Sequence, residues 1–237
     1  MALSFIFYAA KFLLHLYAII KVVSSIYSYW CLLITQISTS LLMIQGQTDI
    51  ELNEVGRKQA VRVAERLSRE PNISAIYSSD LKRALKTAEA IASRCGLEVV
   101  TDKDLRERHV GDLQGLAFSK SPKVNPIAFE ALKSAGNDQK IPGGGESRDQ
   151  LNNRYKSSLQ RIAEKHRGAR VVVVTHYTVI KNMYKLAIPG ESVSGIRNAS
   201  ISIFQFSEGD QWSIKLWNDQ SHLKELGYYP DGGDASS

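Results

Sequence analysis

From Gln45 onward the chain alternates between two hydrophobic periods. The segment "NEVGRKQAVRVAERLSRE", residues 53–70, puts Val55, Ala60, Val63, Ala64 and Leu67 near one helical face, and Asn53 is placed to cap its start. "ISAIYSS", 73–79, reads as a short strand. "DLKRALKTAEAIASRCG", 80–96, is a second helix ending at a glycine stop. "LEVVTD", 97–102, is a further strand, and a long helix is expected over about 147–167. Four consecutive valines, 171–174, then run into Thr175–His176 as a buried strand followed by a helical segment. "ASISIFQFS" and "QWSIKLWND" alternate apolar and polar positions around "EGDQ", the pattern of an antiparallel hairpin at a sheet edge. Strands alternating with helices predict an α/β fold, a three-layer α/β/α sandwich with a mostly parallel sheet. Residues 109–146, rich in Gly, Pro and Ser, are expected to be irregular, and no internal repeat is present.

The first 44 residues follow neither period. Residues 22–44 hold 23 positions without a charge, long enough to span a bilayer, but five serines, two threonines and a glutamine temper their hydrophobicity. The chain therefore divides into a hydrophobic N-terminal segment, 1–44, a globular domain, 45–228, and a disordered tail, 229–237. The N-terminal segment is a candidate for membrane contact. Its apolar run is too long for a conventional signal peptide, and no small-residue cleavage site follows it.

Charge narrows the partners. The formal net charge is +6; setting aside Lys11 and Lys21 leaves 28 basic against 24 acidic side chains, all beyond residue 48. That is a mixed-charge surface rather than a nucleic-acid footprint, so no nucleic-acid partner is expected. Cys31 and Cys95 form neither a disulfide framework nor a zinc pattern, and the domain reads as a reducing-compartment protein. Cys95, just before Gly96, reads as a small buried residue.

In open α/β sheets, ligands bind beyond the carboxyl ends of the strands. Arg83 falls in the first turn of a helix that follows a strand, where a guanidinium and helix amides together can hold a phosphate. Taken alone it reads as readily as a surface arginine. "LRERHVGDLQG", 105–115, packs Arg106, Glu107, Arg108 and His109 into four residues, and a carboxyl flanked by arginines is a candidate general acid or simply a solvated charge run. "PGGGES", 142–147, is either an anion cradle of backbone amides or a turn leading to Ser147 as a helix cap. His176 is either a ligand-facing histidine or a satisfied core residue.

Together, "SSDLKRALKTAEAI", "LRERHVGDLQGL", "PGGGES" and "VVVVTH", in that order and spacing, resemble the histidine phosphatase superfamily, also called phosphoglycerate mutase-like. "GQTDIELNEVGRKQA" is similar to the stretch that follows the family's first motif, and the resemblance runs from about Gln45 to Asn218. The motifs look most like those of plant phosphoglycerate mutase-like proteins, some of which are metal-independent phosphoserine phosphatases. The short 109–146 insertion is similar to the phosphatase branch rather than to true mutases. The resemblance implies phosphomonoester hydrolysis on a small phosphorylated metabolite in the cytoplasm, with no metal and no cofactor. It assigns phosphoryl binding to Arg83, leaving-group protonation to Glu107 and hydrogen bonds to the phosphoryl oxygens to His176. Gln45 and Gly46 would lie beside the substrate.

Two departures qualify that expectation. The family's nucleophile is a histidine in an Arg-His-Gly motif at the end of the first strand. Here "STSLLMIQGQTD" stands at the corresponding place, and the only upstream histidine, His15, lies in "FLLHLYA". Loss of the nucleophile removes the covalent route and leaves an impaired phosphomonoesterase or a non-catalytic phosphate-binding relative. The missing segment also supplies the central strand, so "CLLITQISTSLLMI", 31–44, is expected to fill that slot. At the other departure, Tyr177 and Thr178 replace the two glycines that usually follow the family's Thr-His. A tyrosine there either crowds the pocket or points away from it.

Overall fold

The computed structural model describes residues 29–35, 43–207 and 211–226. In chain order its elements are strand β1 (Tyr29–Thr35), helix α1 (Glu54–Leu67), β2 (Ile73–Ser78), α2 (Lys82–Cys95) and β3 (Val99–Thr101). Two 3-10 turns follow, Lys103–Leu105 and Gly111–Leu113, then α3 (Ser121–Val124), α4 (Pro126–Lys133) and α5 (Arg148–Lys165). The chain continues through β4 (Arg170–Thr175), α6 (Tyr177–Ala187), β5 (Ile201–Ser207), β6 (Gln211–Asp219) and a 3-10 turn, Ser221–Leu226.

The six strands form one sheet in the order β3-β2-β4-β1-β5-β6. β3, β2, β4 and β1 run parallel, and β5 and β6 complete the sheet as an antiparallel edge hairpin. The valine run of β4 shows why two layers of helix are needed. Val172 and Val174 face α1 and α2, whereas Val171 and Val173 face α5 and α6, and all four are fully buried. Period-two alternation in an all-apolar strand gives the sheet two hydrophobic faces, each of which needs a cover. Each buried valine contributes about 1.5–3 kcal/mol relative to exposure. The three-layer sandwich follows.

Local signals set the helix ends. The Asn53 side chain accepts a hydrogen bond from the Gly56 amide at the start of α1, and Gly96 ends α2 in the left-handed conformation at φ 67°. Ser147 and Gln150 form a reciprocal capping box at the start of α5. Val55 departs from the expected apolar face of α1: it is exposed, and Gly56 and Gln59 are buried instead. Cys95 is half-buried at the core margin rather than fully enclosed. The 109–146 segment holds more regular structure than its composition suggests. Asn125 caps α4 by accepting from the Ala128 amide, and a satellite core of Val110, Leu113, Phe129 and Ile141 packs beneath it.

The central slot of the sheet is filled by Tyr29–Thr35, parallel to β4 and antiparallel to β5, with Thr35 opposite Thr175. The sheet thus draws on residues ahead of the 44/45 boundary read from composition. The remainder of the 1–42 segment and the 227–237 tail lie outside the described residues. Among the described residues, no helix is long and apolar enough to cross a membrane.

Candidate functional site

The carboxyl ends of β2 and β4 deliver the site. β4 ends at Thr175, whose hydroxyl donates to the Leu105 carbonyl (2.8 Å), tying the strand end to the loop that carries Glu107. His176 follows as the N-cap residue of α6 and is fully buried. Burial holds its imidazole well below its ordinary value, and the nearby charges of Arg83, Arg154 and Arg106 push the same way. His176 is therefore neutral at physiological pH.

Arg83 lies in the first turn of α2 and is the largest fully buried side chain among the described residues. Its Nη1 donates to the Thr48 carbonyl and its Nη2 to the Gly46 carbonyl, both at 2.7 Å. Burial lowers its pKa to about 10, with Glu107 and Asp49 acting in the opposite direction, so the guanidinium stays charged. Two amides at the start of α2 already have side-chain acceptors. The Lys82 amide donates to Asp49 (2.8 Å) and the Leu81 amide to the Ser79 hydroxyl (3.3 Å).

The 43–48 loop faces Arg83 and is held from two sides. Ile44 exchanges backbone hydrogen bonds with Gly115 and Leu116, and the Gln47 amide donates to the Gln114 side chain (2.7 Å). Gly46 has a φ of 52°, and a Cβ there would lie 2.5 Å from Gln114 Oε1 and 2.7 Å from Val110. Both the conformation and the close approach call for glycine.

Glu107 is fixed by two backbone donors, the Arg108 amide to Oε1 (2.7 Å) and the Thr178 amide to Oε2 (3.1 Å). The second comes from the first turn of α6, so the residue after Tyr177 orients the carboxyl. The loop around Glu107 is anchored by Arg154 of α5, which sequence reasoning did not single out. Arg154 grips Glu146 through Nε (2.6 Å) and Nη2 (2.9 Å) and donates to the carbonyls of Asp104, Arg106 and Glu107 at 2.7–2.8 Å. Burial pushes the Glu146 carboxyl upward, but the bonds from Arg154 and the His109 amide outweigh it and hold the group below its ordinary value.

The flanking arginines have structural partners. Arg106 makes a two-pronged bond to Asp80 (2.6 Å each), and buried Arg108 donates twice to the Glu146 carbonyl (3.0 and 2.9 Å). The glycine-rich 142–147 stretch packs as a turn on the 109–112 loop, where the Asp112 amide donates to the Pro142 carbonyl (2.9 Å) and the Glu146 amide to the His109 carbonyl (2.8 Å). No residue of that stretch is among the described residues lining the cavity, so the anion-cradle alternative is not what the structure builds.

A cavity of about 860 Å³ opens over these groups, and Gln45, Gly46, Arg83 and Glu107 all line it. His176, fully buried, is not among the described lining residues. Tyr177 forms part of the wall, partly exposed, with the Lys181 ammonium 5.6 Å from its ring centre. Among the described residues no group of His, Cys, Asp and Glu is arranged to hold a metal ion.

A buried guanidinium, a backbone-held carboxyl and a buried histidine thus stand at the strand ends of a parallel sheet. The model of the histidine phosphatase superfamily (branch 1) matches residues 36–220, and the chain belongs to that superfamily. It is 53% identical over 198 residues to phosphoglycerate mutase-like protein 4 of Arabidopsis thaliana, covering 82% of this chain and 86% of the relative. It is 46% identical over 195 residues to the metal-independent phosphoserine phosphatase of the same plant, covering 82% of each. Among solved structures, a mycobacterial glucosyl-3-phosphoglycerate phosphatase superposes with a TM-score of 0.70 at 30% identity, covering 82% of this chain and 99% of that one.

Proposed function

We propose that the cavity is a phosphomonoester site in which Arg83 binds the phosphoryl group, Glu107 protonates the leaving-group oxygen and His176 hydrogen-bonds the phosphoryl oxygens. Gln45 and Gly46 lie beside the bound substrate. The carrying observation is the convergence of buried Arg83, with Glu107 held by the α6 amide, on one cavity. A charged guanidinium out of water is favoured by an anionic ligand, and spread phosphoryl charge needs such a preorganised donor. Membership of a phosphatase superfamily, and relatives named for phosphoserine and phosphoglycerate chemistry, support small phosphorylated metabolites as ligands.

Hydrolysis is impaired in this reading. The family's covalent route needs a histidine beside the carboxyl end of the central strand. That strand ends here at Thr35, opposite Thr175, and the sequence continues Gln36–Ile37, with neither histidine nor arginine. None of the five histidines stands between Arg and Gly. Ligand binding and proton donation then remain without a nucleophile to accept the phosphoryl group. The same feature favours a second reading, a non-catalytic phosphate-binding relative.

The test is thermal melting with phosphate or vanadate, paired with turnover of p-nitrophenyl phosphate and phosphoserine. Ligand at about 100 times its Kd stabilises by about 2.7 kcal/mol, or roughly 5–11 °C for a domain of this size. The shift is expected in the parent and lost in Arg83→Ala. Turnover abolished by both Glu107→Gln and His176→Ala supports the impaired enzyme. Turnover no greater than in those variants supports the binding relative, and no shift with either anion refutes both readings.

A further inference from the structure

The three large hydrophobic side chains most exposed among the described residues lie close together in the sequence: Ile127 at 74%, Val124 at 61% and Phe118 at 53%. Apolar residues scattered singly over a surface are ordinary, whereas a cluster of them marks a contact surface. All three belong to the α3–α4 region that caps the satellite core. Val124 ends α3 and Ile127 stands in the first turn of α4, on either side of a fixed joint at Asn125. There the Asn125 amide donates to the Ser121 carbonyl (2.9 Å), and its side chain accepts from the Ala128 amide (3.0 Å). Phe118 is tied to the same joint, because the Ser121 hydroxyl donates to its carbonyl (2.7 Å). The satellite core gains nothing from Val124 or Ile127, since α4 fills it with Ala128, Phe129 and Ala131.

Lysines stand among these apolar side chains. Between residues 117 and 133, Lys120, Lys123 and Lys133 face Glu130 as the sole acid, and all four are exposed. Among the described residues none of the three lysines holds a carboxylate, whereas Lys58, Lys82 and Lys86 each do. The chemistry selects the partner. A side chain three-quarters exposed, like Ile127, projects from the surface rather than lining a groove, so its partner must yield to it. A second copy of the chain fits poorly, because a two-fold contact repeats the patch and sets these lysines against their own copies. A bilayer fits both features: its acyl boundary admits the apolar side chains, and its anionic headgroups take the ammonium groups.

We infer that the α3–α4 cap docks on an anionic lipid surface, with Phe118, Val124 and Ile127 entering the acyl boundary and Lys120 and Lys123 at the level of the headgroups. Phe118 also lines the cavity, so docking sets the cavity mouth against the bilayer. The docking surface stands or falls separately from the phosphoryl pocket.

The experiment is co-sedimentation of the full chain with vesicles of phosphatidylcholine alone and of mixed phosphatidylcholine and phosphatidylserine, joined by amide hydrogen exchange over residues 117–133. The parent is expected to bind the mixed vesicles more tightly, to lose affinity as salt rises, and to exchange more slowly across 117–133 when bound. Val124→Ser/Ile127→Ser is expected to weaken that binding at least about tenfold and to keep its salt dependence. Lys120→Gln/Lys123→Gln is expected to weaken it at least about tenfold and to flatten the salt dependence. Unchanged binding in both variants, or unchanged exchange across 117–133 in the bound parent, overturns the cap as the docking surface and assigns the binding to another part of the chain. Equally tight binding of soluble polyglutamate, indifferent to the serine substitutions, overturns the lipid in favour of an acidic protein partner. Failure of the parent to bind either vesicle overturns the inference outright.

Discussion

Arg154→Met removes five hydrogen bonds at once: two to the Glu146 carboxylate and three to the carbonyls of Asp104, Arg106 and Glu107. Their sum overstates the loss, because the freed carbonyls can turn to water. What decides the cost is the Glu146 carboxylate, left with the His109 amide (2.8 Å) but without its cation. Breaking a buried ion pair from one side costs about 3–5 kcal/mol. Arg154 and Glu146 are 16% and 18% exposed, so water screens the orphaned charge and the lower end, about 3 kcal/mol, is expected. For a domain of this size that lowers Tm by roughly 6–12 °C. Urea denaturation of Arg154→Met, Glu146→Gln and the double variant measures it. The double variant should be less destabilised than the sum of the singles, with a coupling of about 1–3 kcal/mol. A loss below about 1 kcal/mol, or strict additivity, would refute the claim that this pair holds the Glu107 loop.

Two further outcomes follow from single positions. His176 and His222 both titrate below their ordinary value in the fold, chiefly through burial. Above about pH 6.5 each is neutral whether folded or unfolded and adds no pH dependence. As pH falls below that value the unfolded chain takes up protons that the folded one refuses. Stability should then drop by up to about 1.4 kcal/mol per pH unit for each histidine, until the folded value is reached. Urea denaturation across about pH 7 to 5 reads this slope, His222→Gln should flatten it in part, and a level profile in the parent would contradict the assignment. Gly111 has a φ of 54°, and a Cβ there would sit 1.8 Å from the Pro142 carbonyl oxygen; Gly144 has a φ of 77° and nothing within 4 Å. Gly144→Ala should cost only the conformational strain, about 1–2 kcal/mol, and Gly111→Ala more than that by displacing the 142–145 turn. Equal melting temperatures for the two variants would show that the turn yields freely.

Much of this protein was legible before any coordinates. The valine run declares a strand buried on both faces because no position in it is polar, and a sheet with two apolar faces must be covered twice. Asn53, Gly96 and Ser147 mark helix ends because each does local chemistry there: the asparagine and serine side chains take an orphan amide, and the glycine adopts a positive φ. Motif order also brought Arg83, Glu107 and His176 into one neighbourhood, since all three stand just beyond strands that run the same way. The sequence also shows that no histidine stands between an Arg and a Gly.

Tertiary structure decided the rest, because the remaining features depend on distances that cross the chain. Arg154 is one arginine in an amphipathic helix until folding sets it against carbonyls 47 to 50 residues away. The arginines beside Glu107 could be read from sequence as a solvated charge run, and the structure braces them on Asp80 and the Glu146 carbonyl, both remote in sequence. "PGGGES" allowed both a cradle and a turn, and its contact with the 109–112 loop selected the turn. Arg148 and Lys156 of α5 and Lys181 and Lys185 of α6 are distant in sequence, and they line one cavity only because the two helices come together. Strand β1 is the sharpest case. Its composition suited a membrane or a sheet equally, and only the two open edges of β4 and β5, each with unpaired backbone donors and acceptors, select the sheet.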